Sequence, residues 1–338
     1  MNKTVSGRPW VRYCLIVLMG LCLSGCSILS KQGTETGEID VNRESTAIFG
    51  EPENEVNTRT EDKFKENETE ISVPTSGGDG ELIINADGIT LEERICTPKG
   101  YVRSEAEENG LTDFLRSYPM KADGSPVLLY NGSEKGNQRA HAAVFGLPIE
   151  AENLQQCADS VMRVYAEYCW HNGLADKIKF HFTSGFLAEY SKWRDGYRIS
   201  VNGNDVVWTA GDTYDASYEA FVKYMRMVFV YAGTLSMDTY ESQPILLNEV
   251  QVGDVFLQGG SPGHVVMVVD VCTDDQGRKA FLLGQGYMPA QEFHVIHNPA
   301  HPDDPWYYED EVTYPFVTAE YTFQEGSLQR LSYLDWMQ

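Results

Sequence analysis

The first eighty-one residues cannot build a core, which confines any folded domain to the rest of the chain. Residues 27–81 carry fourteen Asp and Glu against five Lys and Arg, with few large apolar side chains. Such a segment buries too little apolar surface to offset the entropy of ordering it. Residues 26–81 therefore read as a disordered, self-repelling acidic tether. Thr75-Ser76-Gly77-Gly78-Asp79-Gly80 is the hinge at its end.

What precedes the tether is an export signal. Lys3, Arg8 and Arg12 form a positive start, and residues 14–23 (CLIVLMGLCL) a short apolar run. Leu23-Ser24-Gly25-Cys26 follows, with small residues before a cysteine. The run is too short for a comfortable membrane span and has the order of a secretory signal. The cysteine at the cleavage point predicts a lipobox: residues 1–25 are removed and Cys26 is lipidated. Two or more acyl chains anchor stably, whereas one binds only marginally. Residues 27–32 hold no acidic cluster. In lipoproteins of Bacteroides type, an acidic run there resembles a surface-export signal. Its absence predicts a periplasm-facing anchor in the cell envelope.

Residues 82–338 remain for a single globular domain, ample for a sizeable core. The net charge is −24 overall; the tether contributes −9 and the leader +3, which leaves −18 for this domain. No basic patch interrupts it, so nucleic acid is not an expected partner. Cys14 and Cys22 leave with the signal, and Cys26 is spent on lipid. Cys96, Cys157, Cys169 and Cys272 then remain, at spacings that match no zinc pattern. One or two disulfides among them are compatible with an oxidising compartment, with no pairing assigned.

Periodicity predicts an α+β domain, an antiparallel sheet with flanking helices. Residues 127–130 and 140–145 read as a strand pair. Residues 152–168 read as a helix, with Leu154, Cys157, Val161, Val164 and Tyr168 on one face. Residues 178–182 alternate as a strand. Asn202-Gly203 predicts a hairpin between 198–201 and 204–208. A second long helix covers 214–232, with Gly233 suited to cap it. Strands follow at 252–257, 264–271 and 279–283, the last two joined at Asp274-Asp275-Gln276-Gly277. One or two strands are expected within 312–323.

The chemistry candidates sit in that late sheet. The turn Gly259-Gly260-Ser261-Pro262-Gly263 places His264 at the first position of a very apolar strand. A histidine there is held by rigid scaffold yet stands where a cleft can reach it. Counting back from the next hairpin brings residues 285–287 opposite His264. Gln285 is then placed to hydrogen-bond the imidazole and select its tautomer. A satisfied structural histidine is the alternative.

Gly253-Asp254-Val255-Phe256, about ten residues, then His264-Val265-Val266-Met267-Val268 resembles the second half of NlpC-type and CHAP-type papain-like cysteine peptidases. The resemblance covers about 35 residues. It implies a nucleophilic cysteine at a helix N-terminus, a base histidine heading a strand and a third polar residue on the next strand. Carried over, Cys157 is the nucleophile, His264 the base and Gln285 the orienter. A helix N-terminus and a nearby histidine would lower the thiol pKa, and backbone N–H groups would face an oxyanion. The peptidases read Asp-Cys-Ser-Gly or similar around the nucleophile, where this chain reads Gln156-Cys157-Ala158-Asp159. Cys157 on the apolar face of a helix that starts at 152 also fits a small core hydrophobe.

Over most of 95–335 the chain resembles a family of uncharacterised Bacteroides-type lipoproteins, classed as a domain of unknown function. The stretches that carry this include Gln156-Cys157-Ala158-Asp159-Ser160-Val161-Met162-Arg163, Tyr231-Ala232-Gly233-Thr234-Leu235-Ser236 and Tyr287-Met288-Pro289-Ala290-Gln291. Two function classes follow. One is a periplasmic thiol hydrolase acting on amides of peptides or cell-wall stem peptides. The other is an inactive papain-like scaffold serving as an envelope binding or assembly module. No cofactor and no metal is expected. His294 and His297 would face opposite ways on a strand, and His301 lies in a loop. Trp193, Trp208 and Trp306-Tyr307-Tyr308 offer a binding groove or ordinary packing. Arg163 and Glu167 read as an i,i+4 helix pair and Asp159 as a helix-surface carboxylate.

Overall fold

The computed structural model describes residues 82–333 and 335. The leader, Cys26 and the tether lie outside the described residues.

Two long helices and seven strands position the site. The helices are α1 (Cys157–His171) and α2 (Tyr218–Tyr231). The strands are β1 (His141–Val144), β2 (Ser242–Pro244), β3 (Val255–Gln258), β4 (His264–Thr273), β5 (Lys279–Gln285), β6 (His294–Ile296) and β7 (Leu328–Leu331). They form one antiparallel sheet in the order β1-β6-β5-β4-β3-β7-β2. Val102–Arg103 adds to β4 and Tyr307–Tyr308 to β5. The α+β layout is thus as the periodicity predicts.

β4 is central because its sequence suits only that place. His264-Val265-Val266-Met267-Val268-Val269-Asp270-Val271-Cys272 is buried throughout, on both faces. Such a β-branched run fills a strand covered on both sides. Its one carboxylate, Asp270, accepts from Arg103 Nε and Arg116 Nε, each at 2.7 Å. A second buried carboxylate, Asp254, takes Arg330 through Nε and a terminal nitrogen, both at 2.9 Å. Buried charges persist only when paired in this way.

α1 lies against β4, with the Tyr165 hydroxyl on the Gly253 carbonyl. Arg163 and Glu167 do pair, Nε to Oε1 at 2.6 Å, but both are buried. Tyr218 on α2 ties in at 2.8 Å from Arg163 and donates to Glu167 at 2.6 Å. The pair therefore holds the two helices together.

Several boundaries differ from the periodic reading. Residues 127–130 form no strand; Gln138 takes both the N–H and the C=O of Val127. The hairpin between Tyr197–Asn202 and Asp205–Ala210 turns at Gly203-Asn204, one residue later than expected, with Gly203 at φ +60°. α2 begins at Tyr218 because the Ser217 hydroxyl caps it, accepting from Ala220 N–H at 3.2 Å. Gly233 does not close it in a left-handed cap; its backbone is extended, and Ala232 takes the C-cap position. Phe316–Val317 and Thr322–Phe323 form the small hairpin expected in 312–323. All four described cysteines are free thiols. Trp306 and Tyr307 are buried and Trp193 nearly so, which makes them core, while Trp208 and Tyr308 are half-buried and Tyr307 and Tyr308 line a cavity of about 320 Å³. Among the described residues no helix is long and apolar enough to cross a membrane.

Candidate functional site

The helix that carries Cys157 starts later than its apolar spacing suggests. The Asn153 side chain accepts from Ala290 N–H at 2.7 Å, and the Gln155 amide donates to the Pro148 carbonyl at 3.3 Å. These bonds draw 152–156 away from helical geometry. Asp159 then closes the first turn, accepting from Gln156 N–H at 3.0 Å. Cys157 is consequently the first residue of α1, not an interior position of its apolar face. Asp159 is correspondingly not a surface carboxylate: it is 6 % exposed and its Oδ1 has no hydrogen-bond partner.

Cys157 is half-buried, and the nearby backbone of Ala158 and Val265 lowers the pKa of its thiol. These favour a thiolate, as does the helix terminus. Burial outruns them. Desolvation first, then the Asp159 charge, pushes the thiol up to about 11. The expected lowering of this pKa is therefore reversed, because desolvation and the Asp159 charge outweigh the helix terminus.

His264 heads β4 opposite Gln258 and is 2 % exposed. Its ring lies 4.7 Å from that of Tyr287 and 4.8 Å from that of Tyr321, centroid to centroid. Burial holds the imidazole down to about 4, against a raising effect of Gln285 and Glu320. It is neutral at pH 7.

Gln285, the last residue of β5, does reach it: Gln285 Oε1 is 2.9 Å from His264 Nε2. A register shift between Leu282 and Leu283 sets Gln285 one step diagonal to His264. Side chains at that offset still meet.

Cys157 and His264 line the same cavity, of about 540 Å³. Its walls come from residues 260–263, the turn at Gly233, Tyr287, Met288 and Tyr321. The three residues singled out in the sequence thus gather at one place. α1 can approach β5 so closely because residue 286 is glycine. A Cβ there would lie 2.1 Å from Ser160 Oγ and 2.9 Å from the Gln156 carbonyl oxygen.

Three further site residues carry no signal in the sequence, and a fourth, His294, stands out there only as a metal candidate. Glu320 accepts from the Gln285 amide at 2.7 Å, and Lys135 pairs with the same carboxylate oxygen. His294, on β6, lies beside Lys135 and Gln285. Tyr321 walls the imidazole. Glu320 and Lys135 sit in polar loop sequence where a charge is ordinary, so only the fold reveals them. Among the described residues no group of three His, Cys, Asp or Glu is placed to hold a metal ion. His294 belongs to the network just described, and His301 pairs with Glu311 at 2.7 Å.

The family model described as Domain of unknown function (4846) matches residues 91–330. The chain belongs to that family. The match spans the whole site, from Lys135 through Cys157, His264 and Gln285 to Glu320. No curated protein and no solved structure matches the chain.

Proposed function

We propose that this member of the family is an envelope lipoprotein, lipidated at Cys26, whose domain is a papain-like thiol hydrolase acting on amides of peptides or cell-wall stem peptides. The observation that carries the reading is the shared cavity: a cysteine at the first position of a helix and a strand-heading histidine line it, and Gln285 bonds the imidazole. The chemistry then runs from neutral partners. Gln285 Oε1 accepts from His264 Nε2–H, which leaves Nδ1 as the basic nitrogen. Nδ1 takes the thiol proton as the Cys157 sulfur attacks the amide carbonyl carbon. The oxyanion faces backbone N–H groups at the start of α1. The imidazolium returns its proton to the leaving amine as the C–N bond breaks, and a thioester stays on Cys157. Water, deprotonated by His264, releases the acid and restores the thiol.

The test is acyl transfer to one atom. The purified chain is mixed with peptide nitroanilides and with muropeptides, and its intact mass is followed. A hydrolase gives product together with an acyl adduct on Cys157, both lost in Cys157→Ala. Turnover that survives Cys157→Ala overturns the role of the sulfur, and no turnover with any amide offered favours a second reading. That reading is a catalytically inactive scaffold used as an envelope binding or assembly module. It is supported by the neutrality of both groups, the thiol held at about 11 and the imidazole at about 4.

A further inference from the structure

The Gln285 amide has two orientations of nearly equal shape, and they leave His264 in opposite tautomers. With Oε1 toward the ring, Nε2 carries the proton and Nδ1 is basic. With the NH₂ toward the ring, the roles exchange. Something must choose, and the groups behind Gln285 do so.

We propose that Glu320, backed by His294, is a positioning residue that fixes the tautomer of His264 through the Gln285 amide. The argument is one of donors and acceptors. His294 Nδ1 is 2.8 Å from the Glu292 carbonyl oxygen. A carbonyl only accepts, so Nδ1 bears the hydrogen. His294 is fully buried and held well below the usual histidine range, chiefly by desolvation, so its Nε2 is left as an acceptor. That Nε2 lies 3.4 Å from Gln285 Nε2 and 3.3 Å from Lys135 Nζ. The Glu320 carboxylate also only accepts. It takes Gln285 Nε2 at 2.7 Å, Asn137 Nδ2 at 3.1 Å and the Lys135 ammonium. Behind Gln285 there are thus two acceptors, and both claim the amide nitrogen. Oε1 is driven to the other side, onto His264 Nε2, which must then carry its hydrogen. The Glu320 side chain is 11 % exposed and that of Lys135 6 %, so water competes little for these bonds.

The inference names a supporting residue for the hydrolase reading but is tested without it. The full chain is labelled with ¹⁵N-histidine, and His264 is assigned by its absence in His264→Gln. Long-range proton–nitrogen correlation at pH 7 is expected to show Nε2 protonated and Nδ1 bare in the dominant form. In Glu320→Leu the short acceptor behind Gln285 is gone, the amide is free to turn, and the Nε2–H form falls. Glu320→Gln is expected to keep it, because the Lys135 ammonium on the same side holds the new amide's oxygen towards Gln285. A wild-type Nδ1–H tautomer, or an unchanged one in a folded Glu320→Leu, overturns the proposal. If Glu320→Leu does not fold, the wild-type and Glu320→Gln spectra decide. Where turnover is found, the wrong tautomer should lower kcat by up to about 10⁴-fold. Tautomers as expected with no turnover on any amide would sink the hydrolase and leave the positioning role standing.

Discussion

Alkylation of Cys157 across pH tests the electrostatics of the cavity directly. The thiol sits at about 11 against an ordinary 9.0. At pH 8 the thiolate is then about 0.1 % of the total, against about a tenth for an unperturbed cysteine, a deficit near a hundred-fold. A more basic thiolate is a better nucleophile. With a Brønsted slope of about 0.4–0.5, two pKa units return roughly eight-fold. Iodoacetamide should therefore label Cys157 about ten times more slowly than an ordinary thiol at pH 8, with the rate still climbing above pH 10. Peptide mass mapping resolves Cys157 from the other cysteines, and the urea-unfolded chain supplies the ordinary reference. Asp159 is the second cause of the shift, after burial. Asp159→Asn keeps an acceptor for Gln156 N–H and removes the charge. Its inflection should move below 11 but stay above 9, because desolvation remains. Asp159 is itself raised to about 8 by burial, so the difference between the two proteins should widen above that pH. A wild-type inflection at or below 9 would refute the reasoning, and so would an Asp159→Asn profile that coincides with wild type. An inflection near neutrality would instead indicate a preformed thiolate–imidazolium pair.

Acid should weaken the fold through His264. Its folded value of about 4 lies below the ordinary 6.5, so the stability it contributes is complete above about pH 6.5 and is lost as pH falls towards 4. The loss is at most about 3 kcal/mol. Urea midpoints at pH 7 and pH 4 should differ less in His264→Gln, with His294 adding loss of the same sign in both proteins; equal differences would count against the buried neutral imidazole. Gly286→Ala should press the start of α1 off β5 at a cost of about 1–3 kcal/mol. A melting temperature within about 1 °C of wild type would contradict so close an approach.

Much of the scaffold can be read from local pattern, because the late strands are nearly pure apolar runs between turn residues. β4 and β5 and the turn between them follow from that contrast, and His264 stands out as a polar side chain at the head of such a run. Gln285 follows from strand counting, and the shift at Leu282/Leu283 brings it onto the same face as His264. The start of α1 does not follow, because it depends on bonds from Asn153 to Ala290 and from Gln155 to Pro148. Apolar spacing alone extends the helix back to 152, and this hides the placing of Cys157 at its first turn. The direction of the thiol shift is equally hidden, since it depends on how much wall closes over the sulfur. Glu320 and Lys135 are distant from Gln285 in sequence and meet it only in three dimensions. Charge counting sees two ordinary loop residues there. Arg163 and Glu167 show the same limit: their spacing gives the pair, but burial under Tyr218 decides what the pair does.

Val265, the residue right after His264, lies close enough to the Cys157 sulfur to act on its proton affinity. The first turn of a helix and the head of the central strand thus share one seam. A molecule entering the cavity meets both at once, between walls at residues 260–263 and 287–288.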